Sequence, residues 1–391
     1  MRPRRRRLLQ FSSCLLAAAL ALGPYALAEG SRDILPDLPV PVDFQAPRLQ
    51  VLEPPATASQ GIPPLPQGIG ARDMGAQAAW SWERSGPPPG MTSERRSAAV
   101  AQVRAVREAL RRDLTAMARE PWADKKLLER IGLDYADSLM ALEARAQAGD
   151  LDPEVRIRLL RPEHLPRLSD YPLLPFDNQP APVYDRALNI AIFGSSANPP
   201  THGHLAIMLR SLALGADLIV YRPANDDTAR KPDLTAGRLR FPMAAAAAGL
   251  LAPFVHVAPL AWGTDEDAET HTFDLLAANP NQHINLLYLY GGDHHNAKTA
   301  SGADDTVYKL QAKLADPNSG HVPGLHSVAG GLFDRGGIAD FARTLTVFYL
   351  DNVGFHASST DIRNGRHTLL PHAVIRWIRE NSLSLWGIQP R

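Results

Sequence analysis

The second half of the chain predicts an α/β fold built on a doubly wound parallel β-sheet. From residue 187 to residue 391, short apolar runs rich in β-branched and aromatic residues alternate with helical patterns. Two of these runs end at Gly194 and Gly291, as strands often do where they pass into a loop. Strands that alternate with helices form a parallel sheet covered on both faces. Because ligands bind beyond the carboxyl ends of such strands, we expect the site in the loops that follow them.

The predicted elements follow one another in the order that this fold requires. Apolar runs of β-forming residues predict strands at 188–193, 217–221, 254–257, 284–290 and 345–350. Periodic apolar residues predict helices at 204–214, at 239–251 and from residue 273 onward. No element is predicted in the long, glycine-rich segment 299–337.

A helical region is predicted before the sheet, and we place it at 92–186. Its first helix begins at Ser93 and stops before Pro121, and its second runs from residue 123 to residue 148. A shorter helix is predicted at 153–160. The apolar stripes of these helices are expected to pack on each other or on the next domain, which we place at 187–391.

The N-terminal part predicts an export signal followed by a linker. A cluster of arginines, an apolar run and the sequence Ala26-Leu27-Ala28 are the three parts of a secretory signal peptide, which we assign to residues 1–28. The apolar run is too short for a stable membrane span. Prolines recur through residues 29–91, which we interpret as an extended linker.

The predicted location of the protein depends on this signal peptide. If residues 1–28 act as one, the protein is exported to the periplasm or secreted. Two alternatives stay open: a signal anchor, or a translation start at Met74 or Met91, which would leave the protein in the cytoplasm.

The composition excludes some classes of function. Lys plus Arg and Asp plus Glu both number 41, so the formal net charge is zero. A non-specific nucleic-acid binder needs a basic excess, and nucleic acid is therefore not expected as a partner. Cys14 is the single cysteine, which excludes a disulfide framework and a cysteine-based zinc site.

The first candidate loop runs from Gly194 to His204, between the first predicted strand and its helix. Small residues let a backbone approach phosphates, and the N-terminus of the helix offers unpaired N–H groups. Thr201 and His204 fall one helical turn apart, so a hydroxyl and an imidazole share one face. The loop has neither the Walker pattern nor G-x-G-x-x-G. Its alternatives are a tight turn with surface histidines, or a His-x-His metal site that lacks an evident third ligand.

The second candidate loop runs from His356 to Arg363. Its serines and threonine form a strong helix cap, and their hydroxyls with Arg363 one turn later suit an anion. The alternative is a plain capped helix in which Arg363 pairs with Asp361 or faces solvent.

Together the two loops resemble motifs of the nucleotidylyltransferase superfamily, in particular of the nicotinate and nicotinamide mononucleotide adenylyltransferases. The family pattern G-x-[ST]-[FA]-[DN]-P-x-[HT]-x-x-H is matched by Gly194, Ser196, Ala197, Asn198, Pro199, Thr201 and His204. The pattern I-S-S-T-x-I-R is matched by Ser358, Ser359, Thr360, Ile362 and Arg363, with Ala357 in place of isoleucine. Lys231, Arg240 and Asp293 resemble the family's lysine, its His-Arg-x-x-Met arginine and the aspartate of its Gly-Ala-Asp.

The resemblance covers residues 187–391 and implies a Rossmann-like domain that transfers an adenylyl group from ATP to a nicotinate or nicotinamide mononucleotide. A dinucleotide forms and pyrophosphate leaves. The resemblance assigns the catalytic roles to Thr201, His204 and Arg363. Nucleotide contacts are assigned to Gly194, Ser196, Asn198, Lys231, Arg240, Asp293, Ser358, Ser359 and Thr360. Mg²⁺ is expected on the phosphates of ATP, without a metal site of the protein itself.

An exported protein meets little ATP, and this keeps two alternatives open. One is an exported, non-catalytic nucleotide-binding or interaction protein on the same fold, since a fold does not fix a function. The other is a nucleotidylyltransferase that acts on a different phosphorylated substrate.

Overall fold

The structure is a computed structural model that describes residues 50–51, 91–161, 181–224, 226, 233–258, 268–291, 306–316, 318, 325–333, 347–350 and 355–390. The predicted signal peptide, nearly all of the predicted linker, Lys231 and Asp293 lie outside the described residues.

A single twisted sheet forms the centre of the described part. Its strands are β1 (Gln50–Val51), β2 (Leu188–Ser195), β3 (Leu218–Pro223), β4 (Val255–Val257), β5 (Ile284–Gly291), β6 (His326–Phe333) and β7 (Val347–Leu350). Their order across the sheet is β1-β7-β6-β5-β2-β3-β4, and every neighbouring pair is parallel except β1 with β7. The predicted parallel α/β architecture is therefore confirmed.

Helices cover both faces of the sheet. Those in the described part of the chain are α1 (Ser93–Met117), α2 (Lys125–Ala148), α3 (His202–Leu214), α4 (Gly237–Ala248), α5 (Ala268–Ala277), α6 (Thr306–Ala315), α7 (Ser359–Arg363) and α8 (His372–Glu380). None of the described helices combines the length and the apolar character needed to cross a membrane.

The central strand β2 lies at the point where the order of the strands reverses: β3 and β4 follow on one side of it, and β5, β6 and β7 on the other. β3 pairs with one edge of β2 and β5 with the other. In open α/β sheets this switch point forms a crevice at the carboxyl ends of the strands, where ligands bind. The loop that follows β2 is therefore the part of the fold best placed to meet a ligand.

Alternate residues of the strands build two separate cores. Ala191, Phe193 and Tyr221 face α3, α4 and α8 in one core, together with α1 and α2. Ile192 and Tyr288 face the opposite way, onto α5, α6 and the segment 155–160. This alternation follows from the period of two along each strand.

The two predicted N-terminal helices are present and share a core with the sheet. Val103, Leu110 and Leu139 are fully buried in the same cluster as side chains of α3 and α8. The carboxylate of Asp113 on α1 accepts the backbone N–H groups of His372 and Ala373, at 3.0 and 2.7 Å, and so caps α8. The domain boundary at residue 187 stays a prediction.

The predicted short helix at 153–160 is wrong. This segment is not helical, and Val155, Ile157 and Leu159 are buried while Arg156 is exposed. An alternation of that kind suits an extended chain rather than a helix. The backbone N–H of Arg158 donates to Oδ1 of Asn279 at 2.9 Å, which ties the segment to the domain.

The sequence also missed α6 and β6. Gly330 and Gly331 within β6 gave the segment the composition of a loop. A Cβ at Gly330 would lie 3.1 Å from the hydroxyl of Tyr290, and one at Gly331 would lie 2.6 Å from Leu289. Large side chains of β5 thus occupy the space, and glycine is what the close approach of the two strands requires.

Candidate active site

The first loop leaves the sheet at the end of β2 and enters α3 through a capping box. The hydroxyl of Thr201 accepts the backbone N–H of His204 at 3.2 Å, and Nδ1 of His204 accepts the backbone N–H of Thr201 at 2.9 Å. Because Nδ1 acts as an acceptor here, the neutral ring carries its proton on Nε2. The two side chains assigned to phosphate are thus held together by the start of the helix.

The imidazole of His204 rests on aromatic rings of the sheet. Its centroid lies 5.5 Å from that of Phe193 and 6.3 Å from that of Tyr221. Tyr221 in turn exchanges a hydrogen bond of 3.1 Å with the hydroxyl of Ser195. The orientation of His204 therefore follows from the sheet as well as from the helix cap.

Arg240 on α4 fixes the same loop through hydrogen bonds to backbone carbonyl groups. Its guanidinium is fully buried and donates to the carbonyl oxygens of Ser196 at 2.7 Å and Ala224 at 3.0 Å. It also forms an ion pair of 2.7 Å with Asp226. The predicted contact of Arg240 with phosphate stays a prediction, and the described contacts are those of a positioning residue.

The side chain of Asn198, at the middle of the loop, also forms hydrogen bonds with backbone groups. Its amide accepts the backbone N–H of Thr235 at 3.1 Å and donates to the carbonyl oxygen of Asp233 at 3.0 Å. The side chain is buried. Asn198 therefore fixes the loop against the segment that precedes α4.

The two candidate loops are in contact. Two hydrogen bonds join them, between residues that lie 160 and 165 positions apart in the sequence. The hydroxyl of Ser359 donates to the carbonyl oxygen of Pro199 at 2.7 Å. Nη1 of Arg363 donates to the carbonyl oxygen of Asn198, also at 2.7 Å. Both loops therefore form one surface at the carboxyl end of β2.

The second loop is a helix cap with an arginine one turn later. The hydroxyl of Ser358 accepts the backbone N–H of Thr360 at 3.1 Å, and Nη2 of Arg363 donates to the hydroxyl of Thr360 at 3.1 Å. Asp361 faces Arg366 and His356, at 3.3 and 3.5 Å. Thr360 is exposed and Arg363 is half-buried, so hydroxyl and guanidinium lie together at the surface of the joined loops.

The closeness of the loops depends on a residue without a side chain. A Cβ at Gly203, in the first turn of α3, would lie 2.7 Å from the Cβ of Ala357. No pair of carbon atoms is that close in ordinary contact. Glycine at this position is therefore what lets α3 lie directly against the second loop.

A buried pair behind the first loop was not foreseen from the sequence. The hydroxyl of Tyr135 on α2 lies 2.9 Å from Nδ1 of His202. Burial lowers the pKa of His202 to about 3, so this ring is neutral at physiological pH. The sequence marked His202 only as part of Thr-His-Gly-His, and nothing in it indicated a partner 67 residues earlier.

The His-x-His metal alternative gains no support from the described residues. His202 is completely buried against Tyr135, whereas Nδ1 of His204 is occupied by the backbone of Thr201. Among the described residues, no group of three His, Cys, Asp or Glu side chains is arranged to hold a metal ion.

The described elements define a Rossmann-like α/β fold with two joined loops at its switch point. Comparison with solved structures finds similarity to the nicotinic acid mononucleotide adenylyltransferase of Plasmodium falciparum, in complexes with NaAD and with APC. In both cases the identity is 17%, and the match covers 52% of this chain and 98% of the other. The TM-scores are 0.37 and 0.35.

Neither a model of a known protein family nor a curated protein sequence matches the chain. The choice of an activity therefore rests on the geometry of the site itself.

Proposed function

We propose that this protein transfers the adenylyl group of ATP to the 5′-phosphate of a nicotinate or nicotinamide mononucleotide. The observation that carries the proposal is the union of the two loops at the carboxyl end of β2. There His204, Thr360 and Arg363 bring imidazole, hydroxyl and guanidinium groups to the joined loops, and the buried Thr201 caps the helix that carries His204. Such a set of donors suits the phosphates of a nucleotide.

The reaction needs positioning and charge stabilisation more than proton transfer. An oxygen of the mononucleotide phosphate attacks the α-phosphorus of ATP, and a new P–O bond forms. The bond from the α-phosphorus to the bridging oxygen breaks, and its electron pair leaves with pyrophosphate. The attacking phosphate is already an anion, so no strong base is required, and the rate depends on alignment and on donors that face the developing charge.

Each loop has a part in this scheme. His204 offers the N–H of Nε2, and Thr201 its hydroxyl, to the phosphates of ATP. Ser359, Thr360 and Arg363 lie on the second loop, where the β- and γ-phosphates are proposed to bind. Arg240 holds a carbonyl group of the first loop, and Asn198 ties this loop to the backbone of Asp233 and Thr235.

Mg²⁺ would supply charge neutralisation on the phosphate oxygens. It needs only one or two carboxylates when phosphates provide the other ligands. The described loops present hydroxyls and N–H groups, and Asp361 is engaged with Arg366 and His356. The metal is therefore proposed to arrive with ATP, and no described side chain is assigned to it.

The test is to incubate the full chain with ATP, Mg²⁺ and each mononucleotide in turn, and to measure dinucleotide and pyrophosphate. We expect both products in equal amounts with at least one mononucleotide. His283→Ala is a suitable control for His204→Ala, because His283 is exposed and precedes β5 at the opposite end of the sheet. Absence of dinucleotide with both mononucleotides would refute the proposal.

A non-catalytic role on the same fold is favoured by one observation. Ser359 and Arg363 already donate hydrogen bonds to backbone carbonyl groups of the first loop. The second loop would then serve to hold the first loop in place and would not bind a nucleotide. ATP binding without product formation, by calorimetry and by the assay above, would favour this alternative.

A further inference from the structure

Tyr135 and His202 form a polar pair inside an otherwise apolar core. Both residues are completely buried. Nε2 of His202 is buried as well and has no hydrogen-bond partner in the described part of the chain. An unpaired buried nitrogen lowers stability, and two apolar side chains of the same shape would avoid this loss. Stability alone therefore does not account for the pair.

The pair supplies fixed geometry rather than charge. Burial lowers the pKa of His202 to about 3 and raises the pKa of the Tyr135 phenol, so both groups are neutral at physiological pH. The hydroxyl of Tyr135 lies 2.9 Å from Nδ1 of His202 and 3.3 Å from the carbonyl oxygen of the same residue. One hydroxyl thus contacts both the side chain and the backbone of the first residue of α3.

Other contacts attach α2 to α3 without this pair. Asp134 forms an ion pair of 3.1 Å with Arg210. Arg145 donates to carbonyl oxygens around the C-terminal end of α3, among them that of Ala216 at 2.9 Å. Leu139 is fully buried in the core that the two helices share. The hydroxyl of Tyr135 therefore adds a directional contact at the first turn of α3, where apolar packing is not directional.

The same turn carries His204. His202 and His204 lie two residues apart at the start of α3, so their side chains leave the helix on nearly opposite sides. The first is bonded to Tyr135, and the second packs on Phe193 and Tyr221. A rotation of this turn about the helix axis would displace Nε2 of His204, and the contacts of Tyr135 oppose such a rotation.

We propose that Tyr135 is a positioning residue of the reaction, which acts through His202 to hold the imidazole of His204 against the phosphates of ATP. This inference rests on the proposed function and adds to it a residue of α2, which lies 67 positions before the loop residue that it contacts. Loss of the hydroxyl should weaken ATP binding and lower kcat, and should leave KM for the mononucleotide unchanged.

The decisive variant is Tyr135→Phe combined with His202→Leu in the full chain. It replaces the polar pair by apolar side chains of similar size and removes the unpaired Nε2, so it should melt at the wild-type temperature or above it. Its ATP affinity, measured by calorimetry, should nevertheless fall on the order of 10-fold, and kcat by a similar factor. A pair that served stability alone would leave both values as they are in the wild type.

Two single variants complete the test. Tyr135→Phe keeps the ring and should show the same loss of ATP affinity together with a lower Tm, because Nδ1 of His202 then loses its partner. Arg145→Met is the matched control, since it removes donors at the other end of α3, roughly 18 Å from the first turn. It should lower the Tm and leave ATP affinity and kcat unchanged.

The outcomes separate this inference from the proposed function. Wild-type ATP affinity in the double variant would overturn the inference, and so would an equal loss of affinity in Arg145→Met, because binding would then follow the stability of α3 as a whole. Missing dinucleotide with both mononucleotides would overturn the proposed function instead. Calorimetry with ATP alone would still decide the role of Tyr135 in that case, and a wild type that binds no ATP would overturn both.

Discussion

Gly203→Ala is the substitution that tests the union of the two loops most directly. The new methyl group would lie 2.7 Å from the Cβ of Ala357, whereas carbon atoms in contact are about 3.5–4.0 Å apart. One loop must therefore retreat by roughly 1 Å, and overpacking of this kind costs about 1–3 kcal/mol. Alanine is better than glycine in a helix by up to about 1 kcal/mol. The net loss of stability should be about 1–2 kcal/mol.

Catalysis should suffer more than stability. A retreat of the second loop stretches the hydrogen bonds from Ser359 to Pro199 and from Arg363 to Asn198. A displacement of about 1 Å at a reacting centre lowers turnover by about 10²-fold. Urea denaturation measures the first effect, and release of pyrophosphate measures the second.

Two further variants make the result specific. Gly249→Ala places a methyl group where nothing lies within 4 Å, at a helix end with a φ of −56°, and should be neutral or slightly stabilising. The double variant Gly203→Ala with Ala357→Gly removes the clash and should recover most of the lost turnover. Wild-type stability and turnover in Gly203→Ala alone would refute the contact between the loops.

Four other predictions address single groups. His204→Ala should lower turnover by about 10² to 10⁴, and unlike an isolated surface histidine it should also cost about 0.5–2 kcal/mol because it opens the capping box; full activity in the assay would remove His204 from the mechanism. Arg363→Ala should weaken ATP binding in calorimetry and Arg363→Lys should restore it only in part, whereas equal affinities would leave this loop as a helix cap. Burial raises the pKa of Asp113 from 3.8 to about 6, so the folded state holds this proton more tightly than the unfolded chain; its stabilising contribution is complete below about pH 4 and falls by up to about 3 kcal/mol as pH rises to about 6 and beyond. Denaturation curves between those pH values should show a slope that Asp113→Asn flattens, and an unchanged slope would contradict the assignment. Protein from the native host should begin at Glu29 if the signal peptide is cleaved, and N-terminal sequencing that finds Met1, Met74 or Met91 would overturn that prediction.

Much of the sheet was predictable because buried parallel strands are short apolar runs that end at the ligand-binding edge. β2 and β5 follow that rule closely. β6 does not, because Gly330 and Gly331 make room for large residues of β5, and that requirement comes from a neighbour far away in the sequence. The helix predicted at 153–160 failed for a different reason, since burial alternates along this segment as it does in an extended chain.

The site was predictable to the level of its motifs and no further. The spacing of Thr201 and His204 indicated a shared helical face, and the capping box bears this out. The buried contacts of Arg240 and the partnership of Tyr135 with His202 depend on chain segments that meet only in the folded state.

The capping of α8 by Asp113 has a consequence for biosynthesis. The bonded backbone groups lie 259 and 260 residues downstream of the carboxylate, so α1 leaves the ribosome long before the helix that it caps. Until then the apolar stripe of α1 lacks the part of its cover that α8 supplies, and exposed apolar surface of this kind is what chaperones bind. Ribosomes that stall before residue 372 should therefore carry a nascent chain whose core is open, and this core should close only when α8 has left the ribosome.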